Sequence, residues 1–217
     1  MEAGVLRVWG RANSVNVQKV LWCCEELDLR FERLEAGLQH GVVDTPDYRA
    51  MNPNGRVPTL VDGEVTLWES NSIMRYLALR QMEARAVTRG LYPEGAAARA
   101  GVERWLDWVL STLQPAERNL FWGMIRTAPE VRDMAAIAAS AKASGEAWRI
   151  LDAHLAHGRP YVEGEAFTLA DIALGAYARR WFGVEVASRP DLPRFKEWYE
   201  RIGRRPGFGK HVAAPLT

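Results

Sequence analysis

Asn52-Pro53-Asn54-Gly55-Arg56-Val57-Pro58-Thr59-Leu60-Val61-Asp62-Gly63-Glu64-Val65-Thr66-Leu67-Trp68-Glu69-Ser70 is the stretch whose reading decides the fold. Asn52 to Gly55 is a turn, built from a proline that fixes φ and from residue types that tolerate left-handed backbone. Val57-Pro58 closes that turn and opens a strand, Pro58 to Val61. A proline at the mouth of a strand has no N–H to give to the ladder, so it stands at an end, an edge or a special bend. A cis Val57-Pro58 bond suits such a bend and leaves the backbone N–H and C=O of Val57 free for an extended, peptide-like ligand. Asp62-Gly63 is a two-residue hairpin signal, Glu64 to Trp68 is the return strand, and Glu69-Ser70 meets the start of a helix.

On either side of this stretch the hydrophobic spacing continues the pattern. Val5 to Trp9 reads as a short strand. Val17, Val20, Leu21, Cys24 and Leu27 recur at intervals of three and four, which is one face of a helix from Asn16 to Leu27. Phe31 to Glu35 is a second strand, and a helical connection of this length favours a parallel pair. A turn of helix is expected at Pro46–Arg49. From Ser70, Ile73, Met74, Leu77 and Ala78 mark another amphipathic helix. The order is β-α-β-α-β-β-α.

Beyond Gln81 the pattern changes. Leu91-Tyr92-Pro93 reads as an anchored linker, and no convincing strand follows. Val102 to Leu113 and Met134 to Leu155 form apolar stripes at helical spacing. Pro115 is expected to perturb the first of these helices, and Gly158-Arg159-Pro160 to stop the second. A further helix begins at Thr168, and another carries Phe195, Trp198, Tyr199 and Ile202. Strands in one half and helices in the other predict an α+β, two-domain chain: domain one over 1–82, a linker over 83–95 and an all-helical domain over 96–217.

Composition narrows the function classes. A formal net charge of +1 over 217 residues leaves no electrostatic footprint for nucleic acid or an anionic membrane. The nine tryptophans lack the interleaved basic residues of a base-stacking platform. Cys23 and Cys24 are the two cysteines; neighbours on a helix point about 100° apart and do not bridge. The absence of a disulfide framework fits a reducing cytoplasm. No run resembles a leader or a membrane span.

With Asn52-Pro-Asn-Gly-Arg-Val-Pro58, the run Trp68-Glu-Ser-Asn-Ser-Ile-Met-Arg-Tyr-Leu77 and Thr168-Leu-Ala-Asp171 in order, the whole chain resembles a cytosolic glutathione S-transferase of bacterial, serine-type, theta-like character. The resemblance implies a thioredoxin-like first domain and a helical second one. It also implies glutathione as co-substrate with no metal or other cofactor, a hydrophobic electrophile as second substrate, a homodimer, and a role in detoxification. Its chemistry is demanding: a free thiol of pKa about 8.5 is only a few per cent thiolate at neutral pH. Ser14, after the first strand and just before the first helix, is placed by the resemblance to donate to that thiolate. Asn13 is the alternative donor, and simple helix capping the alternative role for Ser14.

The same likeness assigns the γ-glutamyl end to Glu69 and Ser70 at a helix N-terminus, where anions are favoured. It gives the cysteinyl backbone to Val57 beside Pro58, strand fashion, and brings Arg56 and His40 to the glycyl carboxylate. The electrophile pocket is expected between the domains, walled by the Arg11–Ser14 loop and by Leu113, Glu117 and Phe121, with Leu120, Trp122, Met124 and Ile125 nearby. Thr168 and Asp171 read as a capping box stapled by Phe167 and Ile172, and the cysteines as core. Two rivals stand beside conjugation: glutathione-dependent dehalogenation or peroxide reduction on the same fold, and a non-catalytic binding module.

Overall fold

The computed structural model describes residues 5–85 and 91–217. Met1–Gly4, at the head of the segment read as lacking a leader, and Ala86–Gly90, in the middle of the expected linker, lie outside the described residues. The chain divides into two compact units: Met1–Tyr92 together with Pro206–Ala214, and Pro93–Arg205 together with Pro215–Thr217.

The first unit is built on a four-stranded sheet in the order β2-β1-β3-β4. Strand β1 (Leu6–Trp9) pairs parallel with β2 (Phe31–Leu34), Leu6 opposite Phe31, through helix α1 (Val15–Glu26). Strand β3 (Thr59–Asp62) runs antiparallel to β1, Val8 opposite Leu60, and β4 (Val65–Trp68) returns antiparallel to β3. The hairpin loop is Gly63-Glu64, one residue later than the Asp62-Gly63 reading, because Asp62 pairs with Val65. Gly63 takes φ +60° as the first loop residue, the position where this hairpin geometry favours glycine. Alternation along β1 sends Leu6 and Val8 into the core beneath α1 and α3 (Ser70–Arg85). It sends Trp9 to the other face, where Tyr48 of α2 (Pro46–Met51) meets it edge-on at 6.1 Å.

The second unit is helical. Helix α4 (Ala96–Trp108) continues through a π-helical turn, Val109–Leu113, into α5 (Gln114–Phe121) and a second such turn, Trp122–Arg126. The first wide turn lies directly before Pro115. That proline lacks an N–H and crowds the carbonyl one turn back, so the expected perturbation is absorbed as a π segment rather than a break. Helices α6 (Met134–Leu155), α7 (Leu169–Gly183) and α8 (Pro193–Gly203) complete the unit. Beyond β4 the described residues hold only an isolated bridge, Tyr161 with Gly164.

Asp171 is the polar hub of the second unit. Its fully buried carboxylate accepts from the Thr168 N–H at 2.8 Å, the Val162 N–H at 3.0 Å and Trp198 Nε1 at 2.8 Å. The capping box is therefore also a tie between α7, α8 and the loop before them. One short helix departs from the sequence reading. Pro206–His211 (α9), expected with the helical half, packs on α1 in the first unit. Phe208 sits edge-on to Trp22 at 5.3 Å, and Lys210 pairs with Glu25 at 2.8 Å.

Candidate functional site

The site is assembled where three loops of the first unit meet. The β1–α1 loop leaves the sheet at Gly10, whose φ of +155° and close packing on Val17 leave no room for a side chain. The Gly10 and Arg11 amides then bond to the carbonyls of Leu34 and Ala36, which ties this loop to the end of β2. A Cβ placed on Gly10 or Gly37 would meet Val57 at 3.2 and 3.4 Å. The cis-proline loop is thus seated between the two others.

Ser14 occupies the N-cap position of α1, with extended backbone, and its carbonyl accepts the Gln18 N–H at 2.8 Å. Its hydroxyl makes no capping bond. Buried to 6% exposure and unspent among the described residues, that hydroxyl stands at the positive end of a helix. Simple capping is therefore not what the side chain does. Asn13 lies beside it, half-buried.

Val57-Pro58 is a cis peptide bond. Among the described residues neither the N–H nor the C=O of Val57 has a hydrogen-bond partner, because β3 begins two residues later. Arg56 next to it is exposed, and its guanidinium has no partner among the described residues.

Glu69, not Ser70, caps α3: its carbonyl accepts the Ile73 N–H at 2.9 Å, and Ser70 is the first helical residue. Glu69 does so at φ +70°, a left-handed conformation that costs a side-chain-bearing residue about 1–2 kcal/mol. The strain turns the chain sharply from strand to helix, and the Glu69 side chain is exposed at the start of α3. Ser70 is buried, and its hydroxyl donates to Asn16 Oδ1 at 3.3 Å. The N-termini of α1 and α3 are joined by that bond, so two helix dipoles favour negative charge in one place. One turn further in, the buried Lys19 ammonium donates to Asn71 Oδ1 at 2.8 Å and repeats the tie between the same helices.

His40 closes a 3₁₀ turn, Leu38–His40, in a loop where Gly37, Leu38, Gly41 and Val42 all have positive φ. Its Nε2 lies 3.3 Å from Glu35 Oε2 and accepts from the Gln39 side-chain amide Nε2 at 3.0 Å. Arg33, bonded to the same Glu35 at 2.6 Å, holds that carboxyl below its ordinary pKa.

The structure brings together Ser14, Val57, Pro58 and Ser70, with Asn13, Arg56 and Glu69 as their chain neighbours. Three expected members of the electrophile pocket belong elsewhere. Leu113, Glu117 and Phe121 are 0%, 7% and 1% exposed, all inside the second unit. Glu117 is paired with Arg180 at 2.6 Å, and the Arg180 guanidinium stacks 3.7 Å from the Phe121 ring centre. Their helical stripe is a core face, and the acid on it is neutralised by a partner 63 residues away. Arg11 remains half-buried in the first unit beside Gly37. An opening of about 920 Å³ in the second unit is lined by Met124, Met134 and Ile137 together with Lys142, Glu146 and Arg189.

Burial raises both thiols, Cys24 to about 12, and makes them unreactive core groups. Among the described residues no three His, Cys, Asp or Glu side chains cluster as a metal would require. The sequence reading offered Asn16 only as an alternative cap of the first helix and missed Lys19, Asn71 and Thr59, which bond to side chains elsewhere in the chain.

Comparison with known proteins places the same features in a family. Residues 4–79 match the model of the glutathione S-transferase N-terminal domain, and residues 134–201 that of the glutathione S-transferase C-terminal domain. The chain is 40% identical to glutathione S-transferase GstB of Escherichia coli over 98% of its own length and 100% of the relative's. It is 34% identical to glutathione S-transferase 3 of Zea mays, over 96% and 94%. Among solved structures, the theta class glutathione S-transferase of Xanthomonas axonopodis pv. citri, with glutathione bound, superposes with a TM-score of 0.91 at 46% identity. That match covers 98% of this chain and 99% of that one.

Proposed function

This chain belongs to the glutathione S-transferase family, and on that premise we propose that it conjugates the thiolate of glutathione to hydrophobic electrophiles. The observation that carries the proposal is the unpaired backbone of Val57 set beside two joined helix N-termini. An extended peptide offers a complementary N–H and C=O to Val57. The γ-glutamyl carboxylate goes to the N-terminus of α3 and to Ser70, with the Glu69 carboxylate facing the α-amino group. The glycyl carboxylate goes to Arg56, with the His40 ring as the second contact.

The sulfur then lies toward the N-terminus of α1. Ser14 donates a hydrogen bond from its hydroxyl to the thiolate, which lowers the thiol pKa; Asn13 is the neighbouring donor to be separated from it. The thiol proton leaves to solvent. The sulfur lone pair forms the C–S bond as the carbon–leaving-group bond breaks, and the leaving group departs with its electron pair. No redox change occurs.

The remaining expectations form part of the same reading: a homodimer, working in the cytoplasm, in detoxification. Two buried, unbridged thiols agree with a reducing compartment, and no helix among the described residues is long and apolar enough to cross a membrane.

The test is retention on immobilised glutathione followed by turnover of a chloro-nitrobenzene. Retention with turnover is expected. Retention without turnover across a broad electrophile panel favours the binding-module reading, and failure to bind glutathione at all overturns the proposal.

A further inference from the structure

We propose that Tyr48 and Asn52 are positioning residues of the peptide clamp, and that together they aim the Val57 N–H at the ligand. The inference rests on the glutathione-binding reading above.

The geometry is a closed polar cycle in the floor of the cis-proline loop. Tyr48 Oη lies 2.7 Å from the Arg56 carbonyl oxygen and 2.9 Å from Thr59 Oγ1. Asn52 Nδ2 lies 2.9 Å from the same carbonyl and 3.1 Å from the same hydroxyl. The protons close without remainder. Tyr48 donates to the Arg56 carbonyl, Thr59 donates to Tyr48, and the two Asn52 amide protons go to the carbonyl and to Thr59. Asn52 Oδ1 in turn accepts the Asn54 N–H at 3.1 Å, and the Asn52 carbonyl accepts the Gly55 N–H at 3.0 Å, which fixes the turn itself. The three side chains are 1%, 2% and 0% exposed. A buried polar group left unpaired is costly, so the cycle holds as a unit. Burial also raises the Tyr48 phenol, which keeps it a proton donor.

What the cycle grips is one end of a rigid plane. The Arg56 C=O and the Val57 N–H belong to the same planar peptide group and point in opposite directions. Two donors that hold the carbonyl inward therefore fix the N–H outward. Thr59, gripped by the same cycle, opens β3 and fixes the other side of the loop. The Val57 N–H is then set before the ligand arrives, and binding need not order it. Both side chains bond to the Arg56 carbonyl and Thr59 and not to Ser14, so their effect falls on affinity and not on thiol activation.

The experiment measures glutathione KM, kcat at saturating glutathione, and the pH profile for the wild type, Tyr48→Phe and Asn52→Ala. Tyr76→Phe is the control: it removes a tyrosine hydroxyl bond of similar length, to Asp62 at 2.8 Å, elsewhere in the same unit. Loss of one donor is expected to raise KM by about 3- to 10-fold in Tyr48→Phe, as for the loss of one buried hydrogen bond, and by more in Asn52→Ala. The pH profile and kcat stay as in the wild type, and Tyr76→Phe leaves KM alone. Should Asn52→Ala fail to fold, the nearly isosteric Tyr48→Phe decides the matter. A wild type that does not bind glutathione overturns the functional reading itself. A wild type that binds, with Tyr48→Phe binding equally well or shifting the pH profile in place of KM, overturns this inference alone.

Discussion

Ser14→Ala separates two roles that a serine at a helix start can play. A capping serine replaced by alanine ordinarily costs about 1 kcal/mol of stability. Here the Ser14 hydroxyl makes no capping bond, so the substitution should lower stability by clearly less than that. The catalytic cost is of a different size. A hydrogen bond to a charged group contributes about 1.5–3 kcal/mol, and each pKa unit corresponds to about 1.4 kcal/mol. Losing the bond should therefore raise the pKa of bound glutathione by about 1–2 units, and cut the rate below the inflection by about 10- to 100-fold. The assay is kcat/KM against pH with a chloro-nitrobenzene, paired with a thiolate difference titration of the bound complex. Cys23 and Cys24 add no background, because burial keeps both protonated through the neutral range. An unchanged inflection, or one that moves in Asn13→Ala and not in Ser14→Ala, would refute the role given to Ser14.

Three further outcomes follow from particular residues. Glu69→Gly relieves the left-handed strain at φ +70° but enlarges the unfolded ensemble, so stability should change by no more than about 1 kcal/mol in either direction; glutathione affinity should fall, and calorimetry against thermal melting reads the two separately. Cys24 ionises near 9 when unfolded and near 12 in place, so its stabilising effect is whole below pH 9 and is lost as pH rises toward 12; denaturation midpoints should drop over that window, and native protein at pH 8 should resist thiol alkylation. In the α1–α9 contact, burial lowers the His211 pKa, and the Lys210 hydrogen bond, with His211 assisting, lowers that of Glu25. Depressed groups stabilise above their unfolded values and cease to do so as pH falls through the folded ones. Protection of the amides in Pro206–His211, taken as the intrinsic exchange rate at each pH over the observed one, should therefore fall as pH drops below about 6.5, and a flat protection profile would count against the contact.

Much of the fold was legible because its signals are local. The proline-opened strand, the glycine hairpin, the helical stripes and the Thr168–Asp171 cap each declare themselves within a few residues. The bend at Val57-Pro58 and the helix start at Glu69-Ser70 were legible for the same reason. What escaped depends on partners far along the chain. Periodicity marks Leu113, Glu117 and Phe121 as one helix face but says nothing of Arg180, which makes that face an interior. Nor does it send α9 to α1, a packing that turns on Trp22 and Phe208. The left-handed turn at Glu69 was hidden because nothing about a glutamate marks positive φ. Asn52 was read as a turn residue, which it is; its second task, holding the Arg56 carbonyl, needs Tyr48 and Thr59 beside it.

The central claim, that the first unit clamps a thiol tripeptide and points its sulfur at Ser14, is tested most directly by a crystal structure of the chain with glutathione bound. The account predicts the cysteinyl backbone paired with Val57, the γ-glutamyl carboxylate on the N-terminus of α3, and the sulfur within about 3.5 Å of Ser14 Oγ. Glutathione bound away from Val57 and Ser70, or a sulfur that contacts Asn13 and leaves the Ser14 hydroxyl idle, would contradict it.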